Sequence, residues 1–146
     1  MEYKLEKEIW SQDDFKVMGW HDCPIYAIQF ANDIFLDIDY IFKWVLDEKR
    51  NRYQFWISPA TLQFLSPFEM EMSVKIDFVN GLEIADINQK PLSNGVFEYH
   101  IDTQEGDIRF KSKGFRQYIR KTPVLVESQG LTEEQRGGYP LKSSNN

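Results

Sequence analysis

The chain is poor in the residues that most often announce a chemistry. Its 146 residues include one cysteine, Cys23, and two histidines, His21 and His100. A single thiol excludes an internal disulfide and any metal site built on several thiolates. Apolar surroundings make Cys23 a buried, inert thiol. The histidines share neither an H-x-H nor an H-x-x-x-H spacing, and His100 alternates with Glu98 and Asp102 along a strand-like run. Zinc needs three or four converging ligands, so no metal is expected. The phosphate-loop patterns G-x-x-x-x-G-K-[ST] and G-x-G-x-x-G are absent, as is the G-x-S-x-G nucleophile turn. No apolar run approaches the roughly 20 residues of a membrane-spanning helix. The first residues, Glu2 to Glu8, alternate charge and lack the apolar centre of a secretion signal. These absences predict a reducing, cytoplasmic protein with no cofactor and no membrane contact.

What is present is apolar bulk with an acidic balance. The length suits one domain able to bury a core without staples. Hydrophobic residues make up 42% and aromatics 15%, the latter a rich share. The formal charge is -6. Arg109, Lys111, Lys113, Arg116, Arg120 and Lys121 nevertheless form a basic block with no acidic residue among them. The remainder is therefore strongly acidic and repels phosphate backbones, which argues against nucleic acid as a partner. The basic block itself reads as a solvated strand face.

Alternation with a period of two dominates the middle of the chain. Ile34, Leu36, Ile38, Tyr40, Phe42 and Trp44 are apolar, while Asp37, Asp39 and Lys43 fall between them. Met70, Met72, Val74, Ile76 and Phe78 alternate with Glu69, Glu71, Ser73, Lys75 and Asp77. Phe97, Tyr99 and Ile101, then Ile108 and Phe110, repeat the pattern. Such runs bury one face and wet the other, as antiparallel sheets do. Asn80-Gly81 and Asn94-Gly95 supply hairpin turns. Ser58-Pro59 and Ser66-Pro67 read as breaks or sheet edges. The predicted fold is all-β, mainly antiparallel: a single-domain β-sandwich or open barrel over residues 1–128, with short helical or irregular ends. Leu5 to Phe15 reads equally as a short helix or an edge strand. Residues 129–146 read as a partly ordered tail, in which Thr132-Glu133-Glu134-Gln135 offers a capping box for one helical turn before Gly137-Gly138. Residues 142–146 should fray. Leu36, Ile38, Tyr40, Phe42, Met72, Val74 and Ile76 are the expected core, with Trp44 on the same side and Trp56 on a more exposed one.

Three constellations carry possible chemistry. His21-Asp22 pairs a group that titrates near neutrality with a carboxylate, but neighbours on a strand point apart, so a working pair needs a turn. Local capping of the backbone is the simpler role. Asp37 and Asp39 share one strand face, about 6–7 Å apart by strand rise. That spacing suits paired acid and base carboxylates. The simpler role is a solvated face on which Asp→Asn changes leave folding intact. Flanked by Phe35 and Ile41, the pair also makes an acidic, apolar contact surface for a basic partner. Arg116 and Arg120 offer the opposite surface, suited to an acidic partner.

The runs Gly19-Trp20-His21-Asp22, Ile25-Tyr26-Ala27-Ile28, Leu36 to Trp44, and Phe55-Trp56-Ile57-Ser58-Pro59-Ala60-Thr61-Leu62 resemble a family of small uncharacterised bacterial proteins. The likeness extends through Gly114 to Tyr118, Pro123-Val124-Leu125 and Glu134 to Gly138. It implies no activity. More loosely, His-Asp before a strand in a β-rich chain of this size is similar to immunity proteins of bacterial toxin systems, which implies a protein partner. The leading expectation is thus a protein-binding module of inhibitor or immunity type without catalysis. The alternatives are a small-ligand-binding sandwich or barrel, and a hydrolase using Asp37, Asp39 or His21.

Overall fold

The alternating runs become antiparallel strands along almost the whole chain. The computed structural model describes residues 2–139. It is 57% strand and 7% helix. The strands are β1 (Ile9–Ser11), β2 (Pro24–Phe30), β3 (Ile34–Asp47), β4 (Arg52–Phe64), β5 (Phe68–Val74), β6 (Leu82–Pro91), β7 (Phe97–Thr103), β8 (Gly106–Ser112), β9 (Phe115–Ile119) and β10 (Val124–Val126). A 3-10 helix spans Gln12–Val17, and one helix, α1, spans Glu133–Arg136. The segment Leu5 to Phe15 therefore divides between a strand and a 3-10 helix. Asn94 and Gly95 both take positive φ, 59° and 73°, as a tight hairpin turn requires. Among the described residues no helix is long and apolar enough to cross a membrane.

The strands form one open sheet of order β1-β9-β4-β3-β2-β6-β7-β8-β5, with β10 alongside β4. The sheet turns a corner between β2 and β6, which share only the pairs Pro24–Glu83 and Ile25–Leu82. The chain crosses between the two halves again where β4 runs into β5 and β8 into β9. Those corners are tied together: Leu65 N–H donates to the Gly114 carbonyl at 2.9 Å, and Lys113 N–H donates to the Leu65 carbonyl at 2.9 Å. The core lies between the halves. Phe64 of β4 meets Tyr99 of β7 at 4.9 Å and Phe110 of β8 at 4.7 Å between ring centroids. Leu36, Ile38 and Tyr40 of β3 are buried, as the alternation predicts.

Several expectations are corrected. A bulge in the β3–β4 pairing between Ile41 and Lys43 inserts one residue. Beyond it the faces exchange, since a slip of one residue moves every side chain across the sheet. Trp44 is therefore 39% exposed, whereas Trp56 is buried beside Tyr3. Phe42, at the bulge, is only partly buried. Met72 lies opposite the core residue Ile108, on the side of the sheet that the alternation predicts. Yet β5 ends the sheet, and Met72 and Ile76 remain exposed with Val74 half-buried. Pro59 does not break β4. Its carbonyl accepts from Arg120 N–H at 2.9 Å, and its missing N–H falls just past the end of β9, where the ladder with β4 stops at Ile119, so at most one terminal bond is forgone.

The expected tail packs against the sheet. Thr132 and Gln135 form the capping box, Thr132 Oγ1 accepting from Gln135 N–H at 3.1 Å and Gln135 Oε1 from Thr132 N–H at 2.9 Å. Gly137 closes α1 in the left-handed region. Leu131 and Arg136 are buried. Residues 142–146, expected to fray, lie outside the described residues.

Candidate functional site

Asp37 and Asp39 are the largest departure from expectation. Both leave β3 on the side opposite Leu36 and Ile38, yet they are 3% and 0% exposed. Phe35 beside them is partly buried and Ile41 buried, so the four residues form no contact surface in this conformation. The cover comes from the segment after β10. Gly130 passes so close that a Cβ there would meet Tyr26 Oη at 3.1 Å and lie 3.7 Å from Asp39 Oδ2. Leu131 N–H donates to Asp39 Oδ2 at 2.7 Å, and α1 then carries Arg136 down onto the two carboxylates.

The result is an enclosed charge cluster. Arg136, with a side chain 0% exposed, donates from Nη2 to Asp37 Oδ1 at 2.5 Å and from Nη1 at 3.3 Å. Its Nε lies 3.3 Å from Asp39 Oδ1. Arg120, from the chain just beyond β9, donates from Nη2 to the same Asp37 Oδ1 at 2.7 Å and from Nη1 to Thr61 Oγ1 at 2.7 Å. Tyr26 Oη donates to Asp39 Oδ2 at 2.6 Å. The Arg136 guanidinium carbon sits 4.1 Å from the Tyr26 ring centroid and 5.1 Å from that of Tyr139. Two carboxylates thus meet two guanidiniums against aromatic walls. Burial pushes the Asp39 carboxyl above its ordinary range, against the lowering effects of Leu131 N–H, Tyr26 Oη and Arg136. Burial and the Asp39 charge together push the Tyr26 phenol upward, so it keeps its proton and donates.

The satisfaction of this cluster is incomplete. Among the described residues, the buried side-chain atoms without a hydrogen-bond partner include Asp37 Oδ2, Asp39 Oδ1 and Arg136 Nε. Arg136 places two donors on one oxygen of Asp37 and leaves the other oxygen unused, where a fork-to-fork pairing would use both. Nε and Asp39 Oδ1 are close without the alignment of a hydrogen bond.

The remaining candidates sit elsewhere. His21 and Asp22 lie on a turn, with Asp22 at φ 65°, and His21 Nε2 comes to 3.5 Å from Asp22 Oδ2. His21 Nδ1 is 3.1 Å from the Ala85 carbonyl, which can only accept, so Nδ1 carries the hydrogen. Asp22 Oδ2 also accepts from Gln129 Nε2 at 2.7 Å, so Asp22 helps fasten the C-terminal segment. Cys23 is fully buried, and burial pushes its thiol up to about 12. Arg116 stays exposed while the head of Arg120 is committed to Asp37, so the two make no shared basic surface. Lys111 pairs with Glu69.

No family model, curated protein or solved structure matches the chain.

The sequence spacing missed two groupings. Among the described residues, His100, Asp102 and Asp107 hold three potential metal-ligand atoms within 4.8 Å of one another. Cross-strand register supplies Asp107, opposite Asp102, which a single-strand reading of His100 could not see. His100 Nε2 hydrogen-bonds Asp107 Oδ1 at 2.6 Å, so the imidazole already has a carboxylate partner. The other grouping is apolar. Phe78 is 90% and Val79 88% exposed on the turn after β5, and Ile76, Met72 and Phe68 are exposed near them in the chain, Phe68 on the face opposite Met72 because of the bulge between them. The alternation from Met70 to Phe78 is the available signal, and it assigns Met72, Val74 and Ile76 to the core.

Proposed function

We propose that this protein acts by binding another protein, in the manner of an inhibitor, through the apolar margin formed by β5 and the turn that follows it. The observation that carries the reading is the exposure of Phe78 and Val79, two large apolar side chains almost wholly in water. Scattered apolar residues on a surface need no explanation, but four exposed large ones between Met72 and Val79 are a concentration that suits a contact site. Glu69 and Glu71 add exposed charge on the same strand, of the kind found at interface rims. Catalysis by Asp37 or Asp39 is a weaker reading, since both are enclosed and engaged with guanidinium groups. The proposed contact surface therefore moves from the acidic face of β3 to the edge of the sheet.

The test is a cross-linked pull-down from the native host with the parent protein and with Phe78→Ser/Val79→Ser. Both changes are on the surface, so the variant should melt like the parent. A specific partner captured by the parent and lost from the variant supports the reading. Equal capture by both rejects this surface.

A further inference from the structure

We propose that the enclosed space above Asp37, Asp39 and Tyr26 is a guanidinium pocket, occupied by Arg136 in this conformation, which an arginine of a partner polypeptide enters by displacing residues 132–139. The pocket lies on β3 and β2, apart from the apolar margin at β5 and independent of it. The pocket floor is built on the sheet: Asp37 and Asp39 stand on β3, and Tyr26 stands at the bulge of β2. Two carboxylates beside an aromatic face are the chemistry that selects arginine over lysine. The planar guanidinium can fork onto carboxylates and stack on a ring at once, and an ammonium cannot.

Two features favour exchange. Apart from Arg136 itself, the segment buries little surface, although Lys121 Nζ donates to the Gln135 carbonyl at 2.9 Å and the Tyr139 ring lies 5.3 Å from that of Tyr26. Thr132, Glu133, Glu134 and Gln135 are all exposed, and Leu131, buried and bonded to Asp39, can remain as an anchor. The occupant also fits imperfectly. Asp37 Oδ2, Asp39 Oδ1 and Arg136 Nε are buried without hydrogen-bond partners, so an arginine arriving from another direction can use acceptors that Arg136 leaves idle. When Arg136 withdraws, the one guanidinium left is that of Arg120, which reaches Asp37 alone, so Asp39 loses its cationic neighbour and regains one only from an incoming guanidinium.

The probe is a synthetic peptide copying residues 132–139, with a counterpart carrying lysine in place of arginine. Binding is measured by calorimetry on the full chain with Arg136→Ala and, in case that variant folds poorly, with Arg136→Gln. The arginine peptide should bind the variants at least tenfold more tightly than the lysine peptide does. It should also bind them at least tenfold more tightly than it binds the parent. In the parent, excess arginine peptide should raise deuterium uptake at the backbone amides of residues 133–138, and the lysine peptide should not. Absence of an arginine preference in the variants overturns the pocket. Unchanged uptake in the parent, at peptide concentrations that saturate the variants, overturns the exchange.

Discussion

Replacing Asp37 by asparagine should be far more damaging than replacing Asp39, although the two carboxylates are equally hidden. Asp37 Oδ1 takes hydrogen bonds from both Arg120 and Arg136. With its charge removed, Arg136 keeps only Asp39 at 3.3 Å, and arginine cannot escape by losing its proton. Breaking a buried ion pair from one side costs about 3–5 kcal/mol. Arg120 can turn its partly exposed head to water and the asparagine oxygen can still accept a bond, so the low end, about 3 kcal/mol, is expected. Asp39 differs. Burial already favours its protonated form. An asparagine oxygen there can still accept from Tyr26 Oη and Leu131 N–H, so the cost should be about 1 kcal/mol or less. In urea unfolding at neutral pH, followed by tryptophan fluorescence, a slope near 2 kcal/mol/M converts these costs into midpoint falls of about 1.5 M and under about 0.5 M. A reversed order, or two midpoints within 0.5 M of the parent, would refute the cluster as described and restore the exposed acidic face.

Two further outcomes follow from the same geometry. Because the folded-state pKa of Asp39 is raised, its contribution to stability is complete below the ordinary carboxylate range, near 3.9, and is lost as pH rises through the raised value. The cost of Asp39→Asn should therefore be largest near pH 4 and shrink toward neutrality; a cost that grows with pH contradicts the direction. Leu36→Asp should unfold the domain, because an unpaired charge in the core costs several kcal/mol, on the order of the total stability. Met72→Asp, on the uncovered edge strand, should melt within a few degrees of the parent, and circular dichroism melts of the two variants test this contrast.

The strand pattern was legible because period two is a local property. Leu36, Ile38 and Tyr40 declare a face within five residues of sequence, and the structure buries all three. Whether the opposite face is wet is not local. Asp37 and Asp39 looked solvated because aspartate usually is, and the segment that covers them arrives about a hundred residues later. Its one sequence sign was the capping box at Thr132, which foretold a helical turn but not where it would dock. The exchange of Trp44 and Trp56 had the same origin. The alternation from Ile34 to Trp44 is unbroken in sequence, and the bulge that reverses it is set by pairing with β4. Met72 shows the converse limit: alternation gives the side of the sheet but not the strand's place in it, and the last strand has no neighbour to close over it.

The same last strand governs how the molecule behaves in a crowd of its own kind. An apolar strand at a sheet edge ordinarily templates fibrils, because its free backbone groups recruit the next chain. In β5 that ladder is spoiled. A bulge between Phe68 and Glu71 takes one residue out of register, and Glu69 sits at φ 52°, a conformation no continuous strand accepts. Glutamates at Glu69 and Glu71 add like-charge repulsion between copies. The side chains of this edge stay available while the first half of its main chain is a poor template for a further strand, so exposure of the apolar margin need not bring strand-to-strand association.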